Sequence, residues 1–495
     1  MNSLYTRHNT QIIAFLSGII GVFAFAPYHF YPLAILSLIG ILTAWLTCTT
    51  QRQAFKAGFV FGIAYFGLGV HWIFISIYEF GHAPAWISAL LTALLILVLA
   101  LFPAFVGYCF VRLYPNFTLR KCLLVFPAVW SLGEWVRGWA FTGFPWLQMG
   151  DSQTNAFFLG TASVGGTLFI SFILAHAAGL LVYAFHQKKY FLPLLYLILL
   201  CVGVFSLNNI HWTQPIGKPI TVSLVQGNIQ QSLKWKAGEA EAIFQTYKHL
   251  TQDHWDSQLI IWPEAAVPLP IPYSDQWVEQ LATQAQQHKA SLLFGVPIES
   301  AENRSIYNGI HAVGLAKGQY LKRHLVPFGE FFPIPWLTGR VLQQLDIPMA
   351  NFQRGQYEQT LIKIGDIQLA SYICYEIAFA DEVRGTLGKA NMIVAISDDA
   401  WFGHSNAQAQ QLQMAQMRAM ENRRPLLSAT NNGLTAIISP EGKITSSLEP
   451  FTTGVLTAQV QALEGCTFWA KHGMDLVLLL SMISLICGKS HIRVS

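Results

Sequence analysis

The chain has 495 residues, of which 53% are hydrophobic and only 11% charged, and its mean hydropathy is +0.40. Soluble domains carry about 25% charged residues, so the composition excludes one large water-soluble globule and points to an integral membrane protein with a polar portion. The formal net charge of +4 gives no argument for nucleic-acid binding, and seven cysteines (48, 109, 122, 201, 374, 466, 487) without a Cys-x-x-Cys pair form neither a disulfide framework nor a zinc site.

Crossing a bilayer takes about 20 apolar residues. Eight segments approach or exceed this, near 10–27, 31–48, 56–78, 85–111, 120–139, 157–185, 190–207 and 472–488. Ala24-Phe25-Ala26 looks cleavable, but the preceding region is weakly basic and further spans follow at once, so the first is read as a retained helix. Arg7, Arg52, Lys56, Arg112, Arg120, Lys121, Lys188, Lys189, Lys489 and Arg493 fall on one side, against Arg137 alone in the short loops of the other. This bias places both termini in the cytoplasm. Seven spans then precede the polar region, which is thereby exported, into the periplasm if the cell is Gram-negative. The expected division is a seven-span membrane domain over 1–207, an exported domain over 208–471, and a final anchor with a short tail over 472–495. On the fifth span Glu134 and Arg137 share a face near its outer end, followed by a stretch ending in Phe144-Pro145-Trp146. They read either as a snorkelling ion pair with interfacial aromatics or as a lipid-headgroup site.

From Lys218 the pattern changes to strands alternating with amphipathic helices. Strands are expected at 219–226, 257–262, 290–296, 308–315, 367–374, 391–397, 426–430 and 434–438, and helices at 237–254, 274–288, 376–387 and 405–422. This suits one layered α/β domain. The apolar loops 331–337 and 341–349 are read as a lipid-dipping lid.

Three strand ends carry reactive side chains. One strand ends in Trp262-Pro263-Glu264, Lys322 follows another, and Cys374 ends a third ahead of Tyr375-Glu376. Together they suit acyl transfer through a thioester. The thiolate is the nucleophile, with a reference pKa of about 8.5. A carboxylate takes its proton, and an ammonium favours the thiolate and stabilises the oxyanion. A second carboxylate, Glu330 or Glu376, would position the lysine.

Glu264, Lys322 and Cys374 resemble the Glu-Lys-Cys triad of the nitrilase superfamily. The stretch from Lys322 through His324-Leu325-Val326-Pro327-Phe328-Gly329-Glu330 more closely resembles bacterial apolipoprotein N-acyltransferases. So do Ile373-Cys374-Tyr375-Glu376, Ser397 through Gly403, Thr430-Asn431-Asn432-Gly433, Val225 through Ile229, and the membrane stretch Glu134 through Trp146. The resemblance implies eight spans plus a nitrilase-like αββα sandwich in the inner membrane of a bacterium, multi-pass, with the catalytic domain in the periplasm. It implies a ping-pong reaction. Cys374 takes an acyl chain from a glycerophospholipid, typically phosphatidylethanolamine, and the α-amino group of an S-diacylglyceryl-cysteine apolipoprotein then accepts it. Glu264 is the implied base and Lys322 the oxyanion stabiliser. Glu330, Tyr375 and Glu376 match positions important for activity, and Trp235 matches a tryptophan on a loop near the site. Glu134, Arg137 and Trp146 are candidate substrate-binding residues. No metal, cofactor or nucleic acid is expected, and the protein is expected to be a monomer. A membrane-anchored amidase shares the triad but leaves the spans unexplained; a transporter with a receptor domain leaves the triad unexplained.

Overall fold

The computed structural model describes residues 2–488 apart from 82, 115, 237, 303 and 332–351. The expected lid, except Phe331, and the charged tail carrying Lys489 and Arg493 therefore lie outside the described residues. The chain divides into two compact units. One comprises Met1–Phe74, Ala85–Ile210 and His472–Ser495, and the other Ile75–Pro84 with His211–Lys471.

The first unit is helical. Among the described residues, three helices are long and apolar enough to cross a membrane: Ala85–Leu113, Ala156–Gln187 and Phe191–Asn209. Gln51–Gly69 with Ile73–Phe80 makes a fourth if counted as one broken span, while Asn9–Val22, Leu33–Leu46 and Asp475–Gly488 are apolar but shorter. The fifth expected segment is divided into a π-helical turn, Lys121–Val125, and a helix, Phe126–Arg137, with Pro127 in its first turn. Eight apolar segments thus yield three full-length helices, or four with the broken pair. Glycines permit close helix approach. A Cβ on Gly58 would stand 2.3 Å from the Pro103 carbonyl oxygen, and one on Gly62 would stand 2.5 Å from Ala100 Cα.

Glu134 and Arg137 are buried in this unit, as is Trp146. They do not snorkel. Glu134 Oε1 accepts from Trp130 Nε1 at 3.1 Å and from the Met149 N–H at 2.9 Å. The Arg137 guanidinium donates to the carbonyls of Phe144 (2.7 Å), Leu147 (3.3 Å) and Trp146. Both residues bind the backbone of the 144–149 loop.

Among the described residues the second unit has fifteen strands: β1 Thr213–Pro215, β2 Ile220–Gln226, β3 Leu259–Ile261, β4 Ser291–Glu299, β5 Ile306–Gly314, β6 Ala316–Lys317, β7 Gln319–Leu321, β8 Ile362–Ile364, β9 Ile367–Ile373, β10 Met392–Ser397, β11 Leu426–Thr430, β12 Ala436–Ile438, β13 Ile444–Ser447, β14 Gly454–Val460 and β15 Leu463–Gly465. They form a six-stranded sheet, β14-β2-β3-β4-β5-β7, a seven-stranded sheet, β13-β12-β11-β10-β9-β8-β6, and the pair β1-β15. Strands β2, β3 and β4 run parallel, as do β9, β10 and β11. Their buried runs of Val, Ile and Leu suit strands covered on both faces.

Val222, Leu224 and Ile261 of the first sheet pack in one core with Ile373, Val394 and Leu427 of the second. The outer face of the six-stranded sheet is covered by helices Ala240–Thr251 and Asp275–Gln287, which contribute Phe244, Tyr247 and Leu281. The outer face of the seven-stranded sheet is covered by Ala380–Thr386 and Ala407–Asn422. This is an αββα sandwich. Every expected strand is present, and β1, β6, β7, β8, β13, β14 and β15 are additional. The short segment Ile75–Pro84 joins this unit: Ser76 Oγ donates to the Trp401 carbonyl at 2.7 Å, and Phe80 packs on the Trp401 ring.

Candidate active site

Each reactive side chain stands where a strand stops. Glu264 follows β3, where the backbone turns sharply; Ala265 has φ 50°. The turn lies so close to β4 that a Cβ on Gly295 would sit 2.5 Å from the Pro263 oxygen and 2.6 Å from Glu264 Cα. Only glycine fits there. Lys322 follows β7. The β5–β7 register pairs Gly309 with Leu321, so Asn308 falls opposite Lys322. Cys374 follows β9 in the left-handed region, φ 54°, and opens a 3₁₀ turn, Cys374–Ala378. Left-handed backbone at a non-glycine residue costs on the order of 1 kcal/mol and clusters at functional sites.

Lys322 is buried between two carboxylates. Its Nζ donates to Glu330 Oε1 at 2.9 Å and lies 3.6 Å from Glu264 Oε1. Asn308 Nδ2 bridges the same two oxygens, at 2.7 Å from Glu264 and 3.1 Å from Glu330. Glu264 Oε2 accepts from the Asp398 N–H at 2.9 Å, and Glu330 Oε2 from the Val326 N–H at 2.8 Å. Burial opposes the lysine's charge, but Glu330, Glu264 and Cys374 outweigh it, and its pKa moves up. Lys322 is therefore a permanent cation. Burial pushes the Cys374 thiol well above its usual range; Glu264 adds to this, and Lys322 only partly offsets it. Lys322 thus favours the thiolate, as expected from the sequence, but burial and Glu264 outweigh it and favour the thiol. The low dielectric of the site penalises the anion by more than one cation returns.

Glu376 is fully buried and acts as a clamp. Its carboxylate accepts from the N–H groups of Ile373 (2.7 Å), Arg323 (2.7 Å) and His324 (3.1 Å) and from the Tyr320 hydroxyl (2.8 Å). It ties the residue before Cys374 to the residue after Lys322. Burial raises its pKa, with Lys322 and the three N–H donors opposing. Tyr375 is half-buried, its ring edge-on to Phe379 at 5.0 Å. Trp235 is half-buried, and its enclosed indole N–H has no acceptor among the described residues.

The structure thus brings Glu264, Lys322, Glu330, Glu376 and Cys374 into one polar cluster. Glu134, Arg137 and Trp146 belong to the helical unit. Sequence reasoning missed a second buried cation. Lys234 Nζ donates to Asp398 Oδ2 at 2.7 Å and to the Glu264 carbonyl at 3.2 Å, and Asn431 Nδ2 donates to Asp398 Oδ1 at 2.9 Å. The missing signal was available in part, since Asp398-Asp399 follow β10 as Cys374 follows its parallel neighbour β9. Among the described residues, no group of three or more His, Cys, Asp and Glu is arranged to hold a metal ion.

Residues 17–180 match the family described as apolipoprotein N-acyltransferase N-terminal domain, and residues 221–471 match the carbon-nitrogen hydrolases. Over 466 residues the chain is 40% identical to an apolipoprotein N-acyltransferase of Methylococcus capsulatus, covering 94% of this chain and 92% of that one. The corresponding Coxiella burnetii protein is 40% identical over 464 residues (92% and 95% covered), and that of Nitrosomonas europaea is 38% identical over 484 residues (96% of each). With relatives this similar along nearly their whole length, and with a carbon-nitrogen hydrolase fold carrying the buried cluster, the chain belongs to the apolipoprotein N-acyltransferase family.

Proposed function

We propose that the protein transfers an acyl chain from a glycerophospholipid, through a thioester on Cys374, to the α-amino group of an S-diacylglyceryl-cysteine apolipoprotein. The observation that carries this reading is the meeting of three strand ends at Cys374, Glu264 and Lys322, with the lysine buried between carboxylates. Phosphatidylethanolamine is the proposed donor.

In the first half-reaction the Cys374 sulfur attacks the ester carbonyl as its proton passes to Glu264. A resting thiol requires such a base in the same step. Lys322 faces the oxyanion of the tetrahedral intermediate, where a fixed buried charge acts strongly. Collapse releases the lysophospholipid alkoxide, which takes the proton from Glu264. In the second half-reaction the amine attacks the thioester, and Glu264 accepts a proton from nitrogen and hands it to the departing sulfur. Glu330 and Glu376 act by position: the first orients Lys322, and the second locks Lys322 and Cys374 in register. Tyr375 and Trp235 are read as substrate contacts at the rim. Glu134, Arg137 and Trp146 serve lipid binding indirectly, by fixing the 144–149 loop.

The same reading takes the chain as a bacterial inner-membrane protein of eight spans, acting as a monomer, with residues 208–471 in the periplasm. The lysine and arginine bias of the short loops supports this. A membrane-impermeant thiol reagent should label Ser300→Cys but not Lys188→Cys in intact cells; the reverse pattern overturns the orientation. For activity, purified protein is given labelled phospholipid and a diacylated lipopeptide. The native chain should transfer label and Cys374→Ser should not. Equal transfer by both would end the thioester reading.

A further inference from the structure

A second polar group lies against Cys374 and has no part in the scheme above. Ser397 ends β10, whose parallel register with β9 pairs Ile396 with Ile373, so Ser397 and Cys374 are the next residues on neighbouring strands. Ser397 acts on the Cys374 thiol in the direction of the thiolate, against the effect of burial. Ser397 Oγ is in short contact with Asp399 Oδ1 and accepts from Gln411 Nε2 at 3.1 Å. Cys374, Ser397, Asp399 and Gln411 line one small cavity. Asp399 is buried, and a Cβ on Gly433 would stand 2.0 Å from its Oδ2, so the backbone closes over the carboxyl only because residue 433 is glycine. The cations of the site are engaged by other carboxylates, Lys322 by Glu264 and Glu330 and Lys234 by Asp398.

A hydroxyl has one proton to give. With Asp399 ionised, Ser397 donates to it, and Cys374 meets Ser397 Oγ as a thiol. With Asp399 protonated, the acid donates to Ser397, and Ser397 donates to sulfur, which favours the thiolate. We propose that Asp399, acting through the single proton of the Ser397 hydroxyl, is a positioning residue that sets the protonation state of Cys374. The exchange balances. The S–H bond breaks as Ser397 takes that proton and passes its own to Asp399, where an O–H bond forms; no charge enters or leaves. Burial raises the Asp399 carboxyl to about 7, with the Ser397 bond opposing and Asp398 and Glu264 adding to the rise, which puts the exchange in the working pH range. The titratable groups facing the pair are Cys374 after β9, Asp398 on the same loop and Glu264 after β3; Lys322 with Glu330 bears on Cys374, and Lys234 on Asp398.

The inference rests on Cys374 being the nucleophile, but its test does not use acyl transfer. Full-length protein in detergent is treated with iodoacetamide from pH 5.5 to 9.5, and alkylation of the Cys374 peptide is followed by mass spectrometry. Coupled groups titrate in two macroscopic steps. The native profile should therefore show a shoulder near neutral pH before its final rise, and Glu264→Gln should retain it. Asp399→Asn and Ser397→Ala should each give a single step, with the rate at pH 7.5 lowered at least fivefold in Ser397→Ala and kept within twofold by Ser397→Thr. A native profile without the shoulder, a shoulder that survives loss of Asp399 or Ser397, a shoulder lost with Glu264, or a uniform fall at every pH overturns the proposal. If acyl trapping on Cys374 fails while the shoulder still depends on Asp399, only the catalytic reading falls; the opposite result removes only the relay.

Discussion

Among the described residues two lysines are buried in the sandwich, and they differ in charge balance. Lys234 has one carboxylate, Asp398, whose other oxygen is bound by Asn431. That pair is neutral and closed. Lys322 has two carboxylates, Glu330 at 2.9 Å and Glu264 at 3.6 Å, so its group carries one negative charge in excess. The surplus acid is the one farther from the cation, and it is the proposed base. A buried cluster with one carboxylate too many can accept a proton, whereas a balanced pair can only hold its shape. Both reach Glu264, Lys234 through the main chain and Lys322 through the side chain.

Substitutions should separate the two roles. The largest effect belongs to Lys322→Met, which removes the oxyanion's cation and leaves Glu264 and Glu330 facing each other. Transfer should fall by at least about 10³-fold, judged from the loss of one oxyanion donor plus the disturbed base. Steady-state transfer at saturating phospholipid measures it. Lys234→Met should invert the balance of effects, costing about 3–5 kcal/mol of stability through the orphaned Asp398 while leaving transfer within about tenfold at temperatures where the protein remains folded. Thermal unfolding in detergent compares the two, and equal losses of activity would erase the distinction. Glu376→Gln keeps the shape of the clamp but turns an amide donor toward N–H groups. A loss of about 1–3 kcal/mol is expected, with transfer reduced because Cys374 and Lys322 drift out of register.

The remaining contrast concerns pH. Asp399 ionises at about 7 when folded, against roughly 3.9 unfolded. Between those values the unfolded chain binds fewer protons, so this residue's contribution is fully present at acid pH and is lost as pH rises through 7. Asp399→Asn should therefore gain stability over the native protein as pH rises from 5 to 8, by at most about 4 kcal/mol, and the gain should vanish near pH 4.

The positions of the candidate site residues were legible in the sequence because strand ends can be read locally. Glu264 and Cys374 each close a short β-branched run, and Lys322 sits in a distinctive stretch. The supporting contacts were not legible. Asn308 meets Glu264 across 44 residues and Lys234 meets Asp398 across 164; nothing local marks such a lysine as buried, since its neighbours Gln230, Gln231 and Lys236 read as surface. Strands β13 and β14 escaped notice because they are half exposed, β13 being mostly threonine and serine and β14 interrupting its apolar residues with threonine and glutamine. The Glu134 and Arg137 positions were legible as unusual, but besides the Trp130 indole they engage loop carbonyls and an N–H group, which no side-chain pattern encodes. Segment counting by hydropathy also ran ahead of helix length, because π-helical turns and Pro127 divide apolar stretches.

The most direct test of the account is to look for the acyl group itself. Full-length protein is incubated with phospholipid of a single known acyl chain and no acceptor, digested, and the Cys374 peptide weighed. The account expects that peptide to gain the mass of the acyl chain, to lose it to hydroxylamine at neutral pH, and to lose it to added diacylated lipopeptide as the N-acylated product appears. Product formation by Cys374→Ser at the native rate, or an acyl group stably carried on another residue, would contradict it.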